Sequence, residues 1–259
     1  NYENSKGHAL SQVTTTIPKG SFIGIVGKPG SGKTTIINLL YRLYSLKSGK
    51  IFIDGRSIFD YTKKVYTTNV SGVFQRPIIF QMSIRDNLSV VDRNQKRQIE
   101  ACRRVGLFEK IASLPRGLNT VINEERGIFT DGELQKLAIA RALLSQAEIL
   151  LFDEVTSNVD PETSKDIIKI LEDLKEDHTV IIITHKPEIM KIADKVVVLS
   201  EGKVVANGKN KEVFAKNPLY RELRSTTFAG PSLDDESEHV KADSSEDFLQ
   251  TEDTSLKLK

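Results

Sequence analysis

The eight residues Gly27-Lys28-Pro29-Gly30-Ser31-Gly32-Lys33-Thr34 constrain this chain more than any others, because they match G-x-x-x-x-G-K-[ST] at every position. They follow a short apolar run, Phe22–Val26, and open a stretch from Thr34 to Leu46 with apolar residues at helical spacing, Ile36, Ile37, Leu39, Leu40 and Leu43. Strand, glycine loop and helix in that order form a cradle for phosphate. Gly27, Gly30 and Gly32 let the backbone curl so that its N–H groups converge on phosphate oxygens. The helix beginning near Lys33 adds the positive end of its dipole. Lys33 supplies a point charge to the β- and γ-phosphates, and Thr34 offers a hydroxyl to Mg²⁺.

The rest of the pattern fits a sheet built around that loop. Glu148–Phe152, Thr179–Ile183 and Lys195–Leu199 are further buried β-runs, and Ile51–Ile53 with Asp54-Gly55 reads as a strand and turn. Helical spacing covers Gln98–Ala112, Asp131–Leu144 and Glu162–Leu174. Buried strands alternating with helices predict an α/β fold with a mainly parallel sheet covered on both faces. Residues 76–145 read as an inserted helical subdomain, which leaves 1–75 and 146–229 as the core. Residues 230–259 carry nine acidic and three basic residues, so a chain of net charge +2 divides into a body of +8 and a tail of −6. That tail is polar and Ser-rich, and it is expected to be disordered. The single cysteine, Cys102, excludes an internal disulfide and suits a reducing, cytosolic compartment. No run approaches the roughly 20 apolar residues that span a bilayer. The chain begins at Asn1, which suggests a piece of a longer protein whose membrane part, if there is one, lies outside it.

Three further groups bear on chemistry. Ile149–Phe152 is an apolar strand that delivers Asp153 and Glu154 to the sheet edge. Asp153 can there hold Mg²⁺ through water, and Glu154 can activate the attacking water. His185 follows the β-run ending at Ile183, at the carboxyl edge where ligands bind in such sheets, within reach of a γ-phosphate. Gln75 carries little signal by itself.

Taken in order, the phosphate loop, Gln75, Ala140-Arg141-Ala142-Leu143, Asp153-Glu154, Ser157-Asn158-Val159-Asp160 and His185 resemble the ATP-binding cassette (ABC) family over roughly residues 1–225. The resemblance implies a P-loop NTPase, RecA-like core with a small antiparallel β portion. It implies ATP and Mg²⁺ as ligands, with nucleotide contacts along Gly27–Thr34 and on to Thr35. It implies that Gln75 couples the γ-phosphate and Mg²⁺ to the helical subdomain, that Ser157–Asp160 crosses to a partner domain, and that His185 is a switch histidine. Tyr2, eight residues before Leu10, suits the aromatic that stacks on adenine. The segments Ile79–Leu88 and Thr120–Arg126, with Glu124 as the acidic residue, are similar to exporter segments. The second of these meets the coupling helices of the membrane domain, which implies a place at the cytoplasmic face of a membrane.

One stretch departs from the family. Where Leu-Ser-Gly-Gly-Gln is usual, this chain has Phe129-Thr130-Asp131-Gly132-Glu133. Asp131 and Glu133 set two carboxylates near the place of a partner-bound γ-phosphate, which is costly where water is excluded. The expectation is a non-identical partner domain. Three readings compete: an exporter motor paired with an unlike partner, a soluble cassette ATPase acting on nucleic acid or the ribosome, and an ATP-dependent clamp with little turnover. Glu154 argues against the clamp. The exporter-like segments, with no long coiled-coil insertion, argue against the second, and no nucleic-acid partner is expected.

Overall fold

A computed structural model of the chain describes residues 9–123 and 127–225. In chain order the elements are β1 (Phe22–Gly27), α1 (Lys33–Leu40), β2 (Phe52–Ile53), β3 (Arg56–Ser57), α2 (Lys63–Asn69), β4 (Val70–Val73), α3 (Ile84–Ser89), α4 (Gln95–Arg104) and α5 (Phe108–Ser113). There follow α6 (Asp131–Leu144), β5 (Ile149–Asp153), α7 (Pro161–Leu174), β6 (Thr179–Ile183), α8 (Pro187–Ile192), β7 (Lys195–Ser200), β8 (Lys203–Lys209), α9 (Asn210–Lys216) and α10 (Pro218–Ser225). Six strands form one sheet in the order β4-β5-β6-β1-β7-β8, all parallel except β8. The hairpin β2–β3 is the small antiparallel portion, turned by Asp54 and Gly55, both at positive φ as an Asp-Gly turn requires.

The apolar runs become strands buried on both faces, and their two-residue period divides them between two cores. Phe22, Val26, Leu150, Phe152, Val180 and Ile182 pack with helices α6, α7 and α8 on one face. Ile23, Ile25, Leu151, Ile181 and Ile183 pack with Ile37, Ile58 and Tyr66 on the other. Register then sets the functional edge. Val73 lies opposite Phe152, Asp153 opposite Ile183, and Ile183 opposite Ile25, so β4, β5, β6 and β1 reach the same edge together.

Two helices differ from their sequence patterns. The stretch expected to be helical to Leu46 stops at Leu40, with Arg42 at φ 58 and Leu43 exposed. Tertiary partners end it: the Tyr66 hydroxyl donates to the Leu40 carbonyl, and Arg42 donates to the Tyr61 carbonyl at 3.0 Å. The helix expected over 98–112 is two helices. Gly106, at φ 70, closes α4 with its N–H on the Arg103 carbonyl (2.9 Å) and the Leu107 N–H on the Cys102 carbonyl (2.8 Å), a Schellman turn. Between β4 and β5 the described residues form helices and loops apart from one bridge, Ser83 to Val121. No described helix is long and apolar enough to cross a membrane.

Candidate nucleotide-hydrolysis site

β1 runs straight into the phosphate loop. A Cβ at Gly27 would fall 2.4 Å from the Leu199 carbonyl oxygen and 2.6 Å from Ser31 Oγ. Gly32, at φ 100, is the N-cap of α1, and a Cβ there would meet the Ala9 carbonyl oxygen at 2.7 Å. The loop therefore holds its curl only with glycine at these places. Lys33 is buried and donates to the Gly27 and Lys28 carbonyls at 2.9 and 3.0 Å. Burial lowers its pKa, while Glu154 and Asp153 pull the other way. Ser31 Oγ is buried with no hydrogen-bond partner. An unsatisfied hydroxyl, a buried ammonium and the start of an eight-residue helix converge here, and that donor set fits a polyphosphate. Pro29 lies within the same turn, Thr35 follows in α1, and Lys28 pairs with Glu222 of α10 at 3.1 Å.

The two acids at the end of β5 have opposite characters. Burial, and then the charge of Glu154, raise the Asp153 pKa to about 6, against the pull of Lys33, His185 and a hydrogen bond with Thr34. Burial also pushes Glu154 upward, but the His185 hydrogen bond and charge, together with Lys33, outweigh it and hold Glu154 below the usual carboxylate value. Glu154 sits at φ 47, and its N–H donates to the Ile183 carbonyl at 3.1 Å. Its Oε1 is 2.7 Å from His185 Nε2, while Oε2 accepts from Ser157 Oγ at 3.2 Å and Gln75 Nε2 at 3.3 Å. Residues from three chain segments, at 75, 154–157 and 185, thus meet at one ionised carboxylate. Ser157 was legible only as part of a loop expected to face a partner, and here it is also a partner of Glu154.

Among the described residues no group of three or more His, Cys, Asp or Glu side chains could hold a metal ion by itself. Thr34 and Asp153 together fit a hard cation that a phosphate brings with it, since Mg²⁺ commonly shares one or two carboxylates with substrate phosphates. A cavity of about 290 Å³ lined by Ile17, Tyr61, Tyr66, Ile149 and Thr179 lies at the amino ends of β5 and β6, the edge of the sheet away from this chemistry.

The divergent stretch is organised by a salt bridge that sequence reasoning missed. Thr130 is the N-cap of α6 and forms a capping box with Glu133. Glu133 Oε2 accepts from the Thr130 N–H at 2.8 Å and from Lys110 Nζ at 2.5 Å, and Lys110 lies over the Phe129 ring at 4.9 Å. Burial raises the Glu133 pKa, but these bonds outweigh it and hold the acid below its usual value. The expectation of two carboxylates facing a partner is therefore corrected. Glu133 folds back and carries its own counter-ion, and Asp131, exposed in the first turn of α6, is the one that faces outward. The T-x-x-E capping pattern was readable in advance; Lys110, 23 residues away, was not. A Cβ at Gly132 would fall 2.4 Å from Thr163 Cγ2, so the amino ends of α6 and α7 touch. Asp160 caps α7, accepting from the Glu162 and Thr163 N–H groups at 3.1 and 2.9 Å, which joins the Ser157–Asp160 loop to the divergent stretch.

Ile78 and Phe80, which follow Gln75, and Val121, in the 120–122 segment that pairs with 82–84, are exposed apolar side chains. Tyr2 and Glu124 lie outside the described residues.

His185→Ala is expected to lower turnover at least about tenfold while ATP affinity changes less than about threefold, because His185 bonds Glu154, the acid expected to act as base. Steady-state hydrolysis beside a nucleotide titration checks this; equal losses in both would make His185 a binding or structural residue instead.

Comparison with known proteins agrees with this geometry. Residues 10–157 match the sequence profile of the ABC transporter family. The chain is similar to an ATP-dependent lipid A-core flippase of Haemophilus influenzae (strain 86-028NP), 35% identical over 88% of this chain and 40% of the relative. It is similar also to the flippase of the same description from Haemophilus ducreyi (strain 35000HP / ATCC 700724), 37% identical over the same shares. Among solved structures it resembles a bacterial Atm1-family ABC exporter with ATP bound, with a TM-score of 0.79 and 30% identity over 86% of this chain and 40% of that one. The chain thus spans about two fifths of the length of these relatives. With a phosphate loop, a paired carboxylate edge and a match covering more than half of its residues, the chain belongs to the ABC transporter family, as an ATPase domain of the exporter type.

Proposed function

We propose that this chain binds MgATP and hydrolyses it to drive a membrane exporter, working from the cytoplasmic face. The observation that carries this is Glu154, ionised, gripped by His185, Ser157 and Gln75 and set on the same sheet edge as Lys33. Lys33 and the loop N–H groups bind the phosphates. Thr34 and Asp153 would hold Mg²⁺, which would supply charge neutralisation to the phosphates. Glu154 takes a proton from the attacking water as the water oxygen bonds to the γ-phosphorus and the bridging oxygen leaves with ADP. Gln75 and Ser157 orient that carboxylate, and His185 keeps it ionised and in place.

The helical residues 76–145 are, in this reading, a subdomain distinct from a core of 1–75 and 146–229. Ile78, Phe80 and Val121 form a face for the coupling helices of a membrane domain. The partner is a second, non-identical nucleotide-binding domain, which supplies an intact signature to this chain's ATP. This chain's own signature is impaired at Asp131, whose charge occupies the helix start where a partner's γ-phosphate would dock.

The isolated chain is expected to be mainly monomeric and weakly active. Asp131→Gly is expected to raise ATPase activity and self-association several-fold, by the removal of a like charge that a partner's bound triphosphate would meet. Glu133→Gln is expected to give no gain, because it breaks the Lys110 pair. The measurement is steady-state ATPase against protein concentration. Parental activity that is already robust and rises with the square of concentration ends the asymmetric reading, and an equal gain from Glu133→Gln refutes the assignment to Asp131.

A further inference from the structure

Gln75 reaches Glu154 from a loop, and that loop is held by the residue before it. The ring of Phe74 lies against the ring of Tyr41, with centroids 4.7 Å apart and planes inclined by 39°. The backbone carbonyl of Phe74 accepts from Gln135 Nε2 of α6 at 3.3 Å. Tyr41 is the C-cap of α1, the helix that starts at Lys33. Its hydroxyl donates to the carbonyl of Leu151 at 3.0 Å, two residues before Asp153 on β5. That hydroxyl has room because position 72 carries no side chain: a Cβ on Gly72 would lie 2.4 Å from the Tyr41 hydroxyl and 1.8 Å from the Leu151 carbonyl oxygen. Tyr41 therefore touches the three parts that must be in register for hydrolysis, the phosphate-loop helix, the acidic strand and the Gln75 loop.

We infer that Tyr41 is a positioning residue that holds Gln75 against Glu154, an assignment that rests on the reading of Gln75 and Glu154 given above. The flat ring supports Phe74, and the hydroxyl anchors the ring to β5. Burial and the nearby Asp153 both push the phenol pKa up, so the hydroxyl stays a donor at neutral pH. Gln135 fixes the other side of Phe74, which ties the setting of Gln75 to α6 as well.

The test compares the full chain with Tyr41→Phe and with Tyr41→Leu, which fills volume without the flat ring or the hydroxyl. Hydrogen–deuterium exchange without nucleotide is followed over residues 73–79 and, as a folding control, over 195–209. Tyr41→Leu is expected to speed exchange about tenfold in the first segment and leave the second unchanged, while Tyr41→Phe stays within about threefold of the parent. In turnover, Tyr41→Leu and Gln75→Ala are each expected to lose about tenfold, and the double variant to be no slower than Gln75→Ala alone. Unchanged exchange over 73–79, or faster exchange in both segments alike, overturns the inference. So does a double variant whose losses multiply while Gln75→Ala is itself defective. Gln75→Ala at parental turnover would instead remove the role of Gln75, and with it anything for Tyr41 to position.

Discussion

Glu154→Gln is expected to lower ATP turnover by about 10³-fold, within the range that a positioned general base contributes, while MgATP affinity stays within about threefold of the parent. Glutamine keeps the volume and an acceptor for His185 Nε2, now 2.7 Å from the carboxylate. Ser157 can turn its hydroxyl to accept from the new amide, and Gln75 can flip its own amide to present its oxygen, so the local packing survives. The power to take a proton does not. The loss of a negative charge beside Lys33 also favours retention of a triphosphate, so an ATP-bound assembly with its partner should persist. Single-turnover hydrolysis and nucleotide titration decide this, and a variant that hydrolyses ATP at the parental rate would remove Glu154 from the base role. Asp153, raised to about 6, is suited to receiving a cation, whereas Glu154 is already ionised.

Lys33→Ala is expected to weaken MgATP binding by about 10²-fold or more, from the loss of charge-assisted hydrogen bonds to phosphate worth about 1.5–3 kcal/mol each. A second effect adds to it. Lys33 opposes the charges of Asp153 and Glu154, so its removal pushes both carboxyl groups upward and leaves their negative field uncompensated where the phosphates arrive. Lys33 also caps the Gly27 and Lys28 carbonyls, so a circular-dichroism melt accompanies the titration to separate binding from folding. Affinity equal to the parent, in a folded variant, would contradict the phosphate-loop assignment.

The motifs legible in advance are those whose geometry is local. A phosphate loop needs a strand, a glycine turn and a helix in direct succession, and Phe22–Leu40 supplies them contiguously. The strands β5, β6 and β7 announce themselves as unbroken apolar runs because both faces of the sheet are covered. Helix α6 was readable from end to end, and the Gly106 break between α4 and α5 could have been read from a glycine followed by an apolar residue. By contrast, β4 is Val-Ser-Gly-Val, which has no strand signature of its own; pairing with β5 makes it a strand and places Gln75 at the edge. The partners of Glu154, the counter-ion of Glu133 and the seat of Tyr41 against Phe74 were likewise invisible. Apart from the neighbouring Ser157, each joins residues 23 to 79 positions apart. Backbone conformation is set by near neighbours, so it can be written in a short stretch of sequence. The identity of a side chain's partner depends on strand register and helix packing, which exist only once the whole sheet has formed.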